Sequence, residues 1–262
     1  MRDYSRFDEF KVEKDGKVAI VTINQPESLN AFTVKLHKQA EEIFHELSSE
    51  DDVNAIVLTG AGKAFSAGGS IKGMQQGTFM SLDRVEEIIR LILNLLRIKQ
   101  PVVAAVNGHA IGLGATLALF CDIVVASKEA KIGDPHVNVR MVAGDGGCII
   151  WPALIGMNRA KEMLLTGKLL KAEEAKAIGL INHCVPPEEV MPKALEIARS
   201  IADGPPKAIQ WTKLALNTRL KQDVNLLMPL GTALETLSKF TADHKEAATA
   251  FMEKRKPKFT GK

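Results

Sequence analysis

A chain of 262 residues is long enough to bury one large core with an appendage, or two modest cores. Its 46% hydrophobic and 25% charged residues are an ordinary globular balance, and a net charge of +3 is too small to point to nucleic acid. Three cysteines, Cys121, Cys148 and Cys184, show no CxxC spacing, which argues against a metal site or disulfide framework and fits reduced thiols in the cytoplasm.

The first sixteen residues mix acids with bases and hold no apolar run, so no targeting segment is expected. Val18 to Ile23 alternates among β-branched residues and ends at Asn24-Gln25-Pro26, a strand leaving into a loop. Asn30 is placed to cap a helix whose apolar positions Val34, Leu36, Ile43, Phe44 and Leu47 crowd one side. Asn54 to Leu58 reads as a short buried strand running into a glycine loop, Gly60 to Gly73. Val85 to Ile98 has helical spacing. Pro101 to Ala126 is mostly apolar, but Asn107-Gly108, Asp122 and the glycines Gly108, Gly112 and Gly114 break it into strand, turn, helix and strand rather than a membrane span. Alternation of strand and helix continues to about residue 185, favouring an α/β architecture of repeated ββα or βαβ units. Beyond Pro186-Pro187 only helical patterns remain, interrupted at Gly204-Pro205-Pro206.

Two glycine-rich loops each follow a buried strand. The first fails the P-loop pattern because Ala64 follows Gly62-Lys63, and it fails the dinucleotide pattern because Phe65 stands where a third glycine belongs. Gly108-x3-Gly112-x-Gly114 lacks that spacing too. Such loops either pack as tight turns or present backbone N–H groups to a ligand, the second at a helix N-terminus that favours negative charge.

The residues around these loops carry a resemblance. Phe65-Ser-Ala-Gly-Gly-Ser-Ile-Lys72 is similar to F-x-A-G-A-D-I-K, and the run from Pro101 to Gly114 to P-x-I-A-A-V-N-G-x-A-x-G-G-G. Cys121-Asp122, Leu164 to Gly167, Ala172 to Leu180, Asn24 to Ala31 and Ala250 to Lys256 follow in the same order. Over nearly its whole length the chain resembles the crotonase, or enoyl-CoA hydratase/isomerase, superfamily. That resemblance implies a ββα spiral core (residues 1–195) and a C-terminal helical oligomerisation segment (196–262) in a trimer or a hexamer. It implies an acyl-CoA substrate, with coenzyme A entering as part of that substrate and no permanently bound cofactor. It also implies an oxyanion hole from the N–H groups of Gly69 and Leu113. Contacts to CoA would come from Ser28, Leu29, Lys63, Ala64, Ala67 and Ile71, with Phe251 and Lys254 of a neighbouring subunit near the phosphates. Where the family often has a lysine this chain has Glu27.

The acid–base residues depart from the family pattern. Hydratases place two glutamates at positions held here by Thr116 and His136. A threonine hydroxyl is no general base near neutral pH, whereas an imidazole is. Asp145, in Ala143-Gly-Asp-Gly-Gly147, is a second candidate, and it reads equally as the cap of the following helix. Asp134 either orients His136 or faces solvent. His109 either lines the acyl pocket or packs, and His37, His45, His183 and His244 show no evident partners. Trp151 and Met163 read as core. No HExxH motif, clustered Cys/His or close carboxylate pair points to a metal. The leading expectation is enolate chemistry of the hydratase/isomerase type. Thioester hydrolysis or decarboxylation, and a catalytically silent acyl-CoA binder, are the alternatives. A base at His136 requires a neutral imidazole in the resting enzyme.

Overall fold

The computed structural model describes residues 1–70, 83–253 and 255–261, without the side chains of 83, 84, 248, 251 and 252. The chain opens with a hairpin, β1 (Phe10–Asp15) and β2 (Val18–Ile23), whose antiparallel register sets Asp15 opposite Val18. Next to β2 lie, in order and all parallel, β3 (Ala55–Gly60), β5 (Val102–Val106), β7 (Ile123–Ser127) and β10 (His183–Val185). These strands are apolar on both faces because both faces are covered. One set of alternating residues, including Val21, Leu58, Ala104 and Val124, joins the main core. The other set, including Val57, Val103, Ala105 and Val125, meets α7 (Val190–Ala202), which turns Val190, Ala194, Ala198 and Ala202 toward it. That four-residue spacing makes a stripe, and its alanines let the helix lie close to the sheet.

Each of β3, β5 and β7 is followed at once by a three-residue strand that leaves the sheet. These are β4 (Ala64–Ser66), β6 (His109–Ile111) and β8 (Lys131–Gly133). They pair side by side in parallel and, with β9 (Leu170–Lys171), form a second sheet. A helix ends each unit: α2 (Asp83–Arg97), α3 (Leu113–Phe120) and α4 (Gly147–Ile155). The ββα repeat expected from the sequence is present, and it stacks three loops, one per unit, along the edge of the small sheet. Helices α5 (Met157–Thr166) and α6 (Ala172–Ala177) complete the body.

Some local expectations are corrected. The helix expected to be capped by Asn30 is α1 (Val34–Leu47), and its cap is Thr33, whose Oγ1 accepts from Leu36 N at 3.1 Å. Asn30 is buried with left-handed backbone, its side chain already committed elsewhere. The strand expected from Asn54 runs Ala55–Gly60, and the following glycine loop contains β4.

After Gly204 the long helix α8 (Pro206–Ser238) crosses the body, sinking Val224 and Met228 into the main core, and α9 (Ala242–Met252) follows. Lys213 of α8 is buried; its Nζ donates to Asp122 Oδ2 at 2.6 Å and to Gln100 O at 2.8 Å. The same carboxylate oxygen accepts from Val102 N at 2.7 Å, so one ion pair ties α8 to the starts of β5 and β7. Among the described residues no helix is long and apolar enough to cross a membrane. Lys213→Met should lower the unfolding free energy by about 1–2 kcal/mol, less than for a fully buried pair because Asp122 reaches solvent and keeps the Val102 N–H. Urea unfolding checks this, and a loss below about 0.5 kcal/mol, the scale of an exposed pair, would contradict it.

Candidate active site

The loop after β2 is sewn to the first glycine loop by one asparagine. Asn30 Oδ1 accepts from Gln25 N at 2.9 Å, while Nδ2 donates to Ala61 O at 2.9 Å and Ala64 O at 2.8 Å. Ala67 N donates to Leu29 O at 2.9 Å, and Ser66 Oγ to Asn30 O at 2.8 Å. Ser28, Leu29, Lys63, Ala64 and Ala67 are thereby brought to one region. Ser28, Leu29 and Lys63 are exposed, Ala67 is half-buried and Ala64 is buried. Ile71 and Lys254 lie outside the described residues, and Phe251 lies in α9 with its side chain undescribed.

The third and fourth glycines of interest press the loops against each other. A Cβ on Gly68, whose φ is +82°, would stand 2.5 Å from Ile111 O, and one on Gly114 would stand 2.7 Å from Ser66 Cβ. Only glycine permits this approach. Gly69 forms a single parallel bridge with Phe32, made by Phe32 N donating to Gly68 O and Ser70 N donating to Phe32 O. The N–H of Gly69 takes no part in it. Leu113 is the first residue of α3, and the first helical bond comes from Thr116 N to Gly112 O. Its N–H therefore has no acceptor within the helix. Among the described residues neither N–H is donated to any group.

Beside this pair lies a buried cluster of charges. The third unit delivers Asp134, just after β8, and His136, which opens a short 3-10 turn (His136–Val139). Asp134 Oδ1 is hydrogen-bonded to His136 Nδ1, and Nε2 faces Asp145 Oδ2 at 3.6 Å. Asp145 Oδ1 accepts from Thr116 Oγ1 at 3.2 Å. The ring edge, Cε1, comes within 3.5 Å of where a Cβ on Gly112 would lie, which sets the histidine against the α3 loop. Thr116, Asp134 and Asp145 are buried, and His136 nearly so.

Two sequence expectations are settled by this geometry. Asp145 caps nothing, since α4 begins at Gly146 without a side-chain cap and both carboxylate oxygens face the cluster. Asp134 orients His136 rather than facing solvent. A base at His136 would need a neutral imidazole, and the charges around the ring work against that form. Burial opposes its charge, but Asp134, Asp145 and Glu235 together outweigh burial and push the histidine up to about 10. Burial first, then Asp134 and Glu235, pushes Asp145 up to about 7, against the pull of His136 and the Thr116 hydroxyl. Both shifts run toward the protonated form, the histidine's through the surrounding acids and the aspartate's through its burial. Asp134, His136 and Asp145 each offer an atom within 4.8 Å of the others, the spacing of a cation site. Both ring nitrogens are turned to carboxylates, Nδ1 to Asp134 and Nε2 to Asp145.

The remaining histidines divide as follows. His109 is exposed and its Nδ1 accepts from Lys131 N at 3.1 Å, away from any acyl pocket role seen in the geometry. His37 meets Phe32 edge-on, and His244 Nδ1 lies 2.6 Å from Val139 O, so both have partners. Trp151 and Met163 are core. Sequence reasoning missed Glu235 of α8, which is buried within reach of the cluster; its helix pattern gives no sign of where it lands.

The resemblance is decided by comparison with known sequences. A sequence model of the enoyl-CoA hydratase/isomerase family matches residues 13–262. The chain belongs to that family. It is 38% identical to the short-chain-enoyl-CoA hydratase of Clostridium acetobutylicum over 247 residues, covering 94% of this chain and 95% of the relative. Its fold matches the crystal structure of an enoyl-CoA hydratase from Mycobacterium avium subsp. paratuberculosis with TM-score 0.87 at 30% identity, over 96% and 98% of the two chains. A β-diketone hydrolase from the cyanobacterium Anabaena, solved with (S)-3-oxocyclohexyl acetic acid, matches with TM-score 0.81 at 30% identity, over 90% and 96%. The protein is an enzyme of the hydratase/isomerase type on a crotonase fold.

Both raised pKa values make the folded state bind protons more tightly than the unfolded chain. Their stabilisation is therefore full at low pH, and is lost through about 4 to 7 for Asp145 and about 6.5 to 10 for His136. Nitrogen NMR at pH 8 should find both ring nitrogens of His136 protonated. A neutral ring at that pH would contradict the charge assignment.

Proposed function

We propose that this family member binds an acyl-CoA thioester, holds its carbonyl oxygen on the N–H groups of Gly69 and Leu113, and moves a proton with Asp145 and His136. The observation that carries the reading is the unpartnered pair of N–H groups beside a buried base and a buried cationic acid. Asp145 takes the α-proton, and the C–H electron pair passes to the thioester oxygen as an enolate. The two donors stabilise that oxygen more than the ground-state carbonyl, an effect worth roughly 3–4 kcal/mol for one donor in comparable sites. His136 carries the proton available to the α or γ carbon. CoA lies along Ser28, Leu29, Lys63, Ala64, Ala67 and Ile71, as the family resemblance implies.

Hydration of an ordinary enoyl-CoA is expected to be slow. Two carboxylates can accept both hydrogens of a bound water, whereas here Thr116 spends its hydroxyl hydrogen on Asp145 and a protonated histidine accepts none, which leaves one charged acceptor. A second reading follows from the same asymmetry and from the fold likeness to the β-diketone hydrolase. One base and one acid suit hydrolytic cleavage of a 1,3-dicarbonyl. Asp145 would take a proton from water, whose oxygen adds to one carbonyl. The C–C bond then breaks onto the other carbonyl as an enolate, and His136 protonates the carbon.

Incubation in D₂O with saturated, 2-enoyl and 3-oxoacyl CoA thioesters and a cyclic 1,3-diketone separates these readings. Deuterium at the α carbon of a thioester is expected, and Asp145→Asn should slow its entry by 10²–10⁴-fold, as loss of a general base does. Diketone cleavage without thioester exchange selects the second reading. Crotonyl-CoA hydration as fast as that of a two-glutamate hydratase would overturn the acid–base assignment.

The family resemblance also implies a trimer or paired trimers. Exposed leucines on α8 (Leu226, Leu230 and Leu237) and the following Phe240 support an assembling face there. Truncating at Gly204 would also remove Val224 and Met228 from the core, so the cleaner test is Leu230→Glu with Leu237→Glu. Light scattering should give a monomer, and an unchanged oligomer would count against that face.

A further inference from the structure

Outside the described site the molecule offers little that points to a ligand, but one buried acid of α8 has no use in the fold. Glu235 is 5% exposed, and its Oε1 pairs with Lys239 Nζ at 3.1 Å one turn on. Its other oxygen, Oε2, is buried with no hydrogen-bond partner. A buried carboxylate oxygen left unsatisfied is costly, and a fold under no other demand replaces it with an apolar group.

The helix is held there by backbone. A Cβ on Gly144, next to Asp145, would lie 2.9 Å from Glu235 Cβ and 2.5 Å from the Gly231 carbonyl carbon. One on Gly231 would lie 3.2 Å from Gly144 O. Two glycines facing each other therefore let α8 rest directly on the turn that carries Asp145, and they bring Glu235 to that turn.

We infer that Glu235 is a positioning residue of the active site, its carboxylate set against the Asp145 turn to hold a proton between Asp145 and His136. The charges acting on His136 are Asp134 and Asp145 from its own unit and Glu235 from α8. Those acting on Asp145 are His136, Asp134 and Glu235, with the Thr116 hydroxyl from α3. Cys148 on α4 is an exposed residue whose thiol is pushed up by partial burial first and then by the charges of Asp134 and Asp145. Lys239 offsets part of the Glu235 charge, and α9 adds His244 at Val139. Glu235 raises the proton affinity of both partners, so the site keeps one proton in the pair across neutral pH. The helix that carries this acid also presents the exposed leucines, so any assembly through them acts on the same helix as the protonation of the site.

This inference rests on the proposed pairing of Asp145 with His136, and its first readout does not need activity. Nitrogen NMR of the full-length protein follows the His136 ring through a pH titration. Glu235→Gln should lower its midpoint by about one pH unit, a tenfold loss of proton affinity. Glu235→Asp should recover part of the shift. On a thioester that exchanges deuterium, Glu235→Gln should lower kcat with KM nearly unchanged and move the pH profile the same way. Gly231→Ala keeps the charge but lifts α8 from Gly144, and it should produce a smaller shift in the same direction. A Glu235→Gln protein with lowered Tm but an unmoved His136 midpoint would show a structural role only and overturn the inference. Should that variant fail to fold, an unmoved midpoint in Gly231→Ala overturns it equally. Absence of thioester exchange in the wild type, with the midpoint shifted, would instead reject the proposed function and leave Glu235 as the tuner of the pair.

Discussion

The structure turns on two backbone N–H groups, those of Gly69 and Leu113, that meet no acceptor among the described residues. Buried or half-buried donors are ordinarily paired, so leaving Gly69 and Leu113 open is a cost the rest of the fold must carry. It is carried by rigidity. Gly68 fits against Ile111, and Gly114 against Ser66, so the two loops lie in direct contact with no room for a side chain between them. Asn30, through Ala61 and Ala64, fixes the first loop from behind. The start of α3 fixes the second, because the N–H of a first helical residue has nowhere to go within its own helix.

The repeated ββα unit explains how such distant residues converge. Strands β4, β6 and β8 lie side by side in one small sheet, so the loop after each opens on the same edge. The first two units supply a donor each and the third supplies Asp134 and His136. Asp145 follows just before α4. The charge pattern then limits the chemistry. Three acids around one histidine would repel one another if all were ionised and the ring neutral. The low-energy arrangement is a cationic ring with Asp134 on one nitrogen and Asp145 facing the other. In the proposed mechanism proton traffic falls to the aspartate, while the imidazolium becomes a donor. This differs from a site with two glutamates, in which both groups are acceptors when ionised.

The fold and the loops were legible because they rest on local signals. Apolar runs at Val18 to Ile23 and Val102 to Val106 mark strands, and the glycines at Gly68, Gly69, Gly112 and Gly114 mark tight loops, while the family motifs around them supply the ligand reading. Long-range features were not legible. Asn30 has the chemistry of a helix cap, and only the approach of residues 61–64 diverts it. Asp145 before two glycines has the look of a cap as well, until Thr116 and His136 arrive from other units. The protonation of His136 depends on acids that lie apart in the chain, and a lone histidine gives no hint of them. Glu235 sits on a helix whose buried face is set by what it lands on.

The most direct test of the two open N–H groups is the carbonyl stretch of a bound thioester. A non-reacting acyl-CoA labelled with ¹³C at its carbonyl can be followed by difference infrared spectroscopy as it binds. Two donors aimed at the oxygen should polarise the bond and lower its frequency well below that of the free thioester. Gly114→Ala, which forces Ser66 and the α3 loop apart, should return the band toward the free value. A bound thioester whose band stays at the free frequency in the wild-type protein would contradict the oxyanion site and the mechanism built on it.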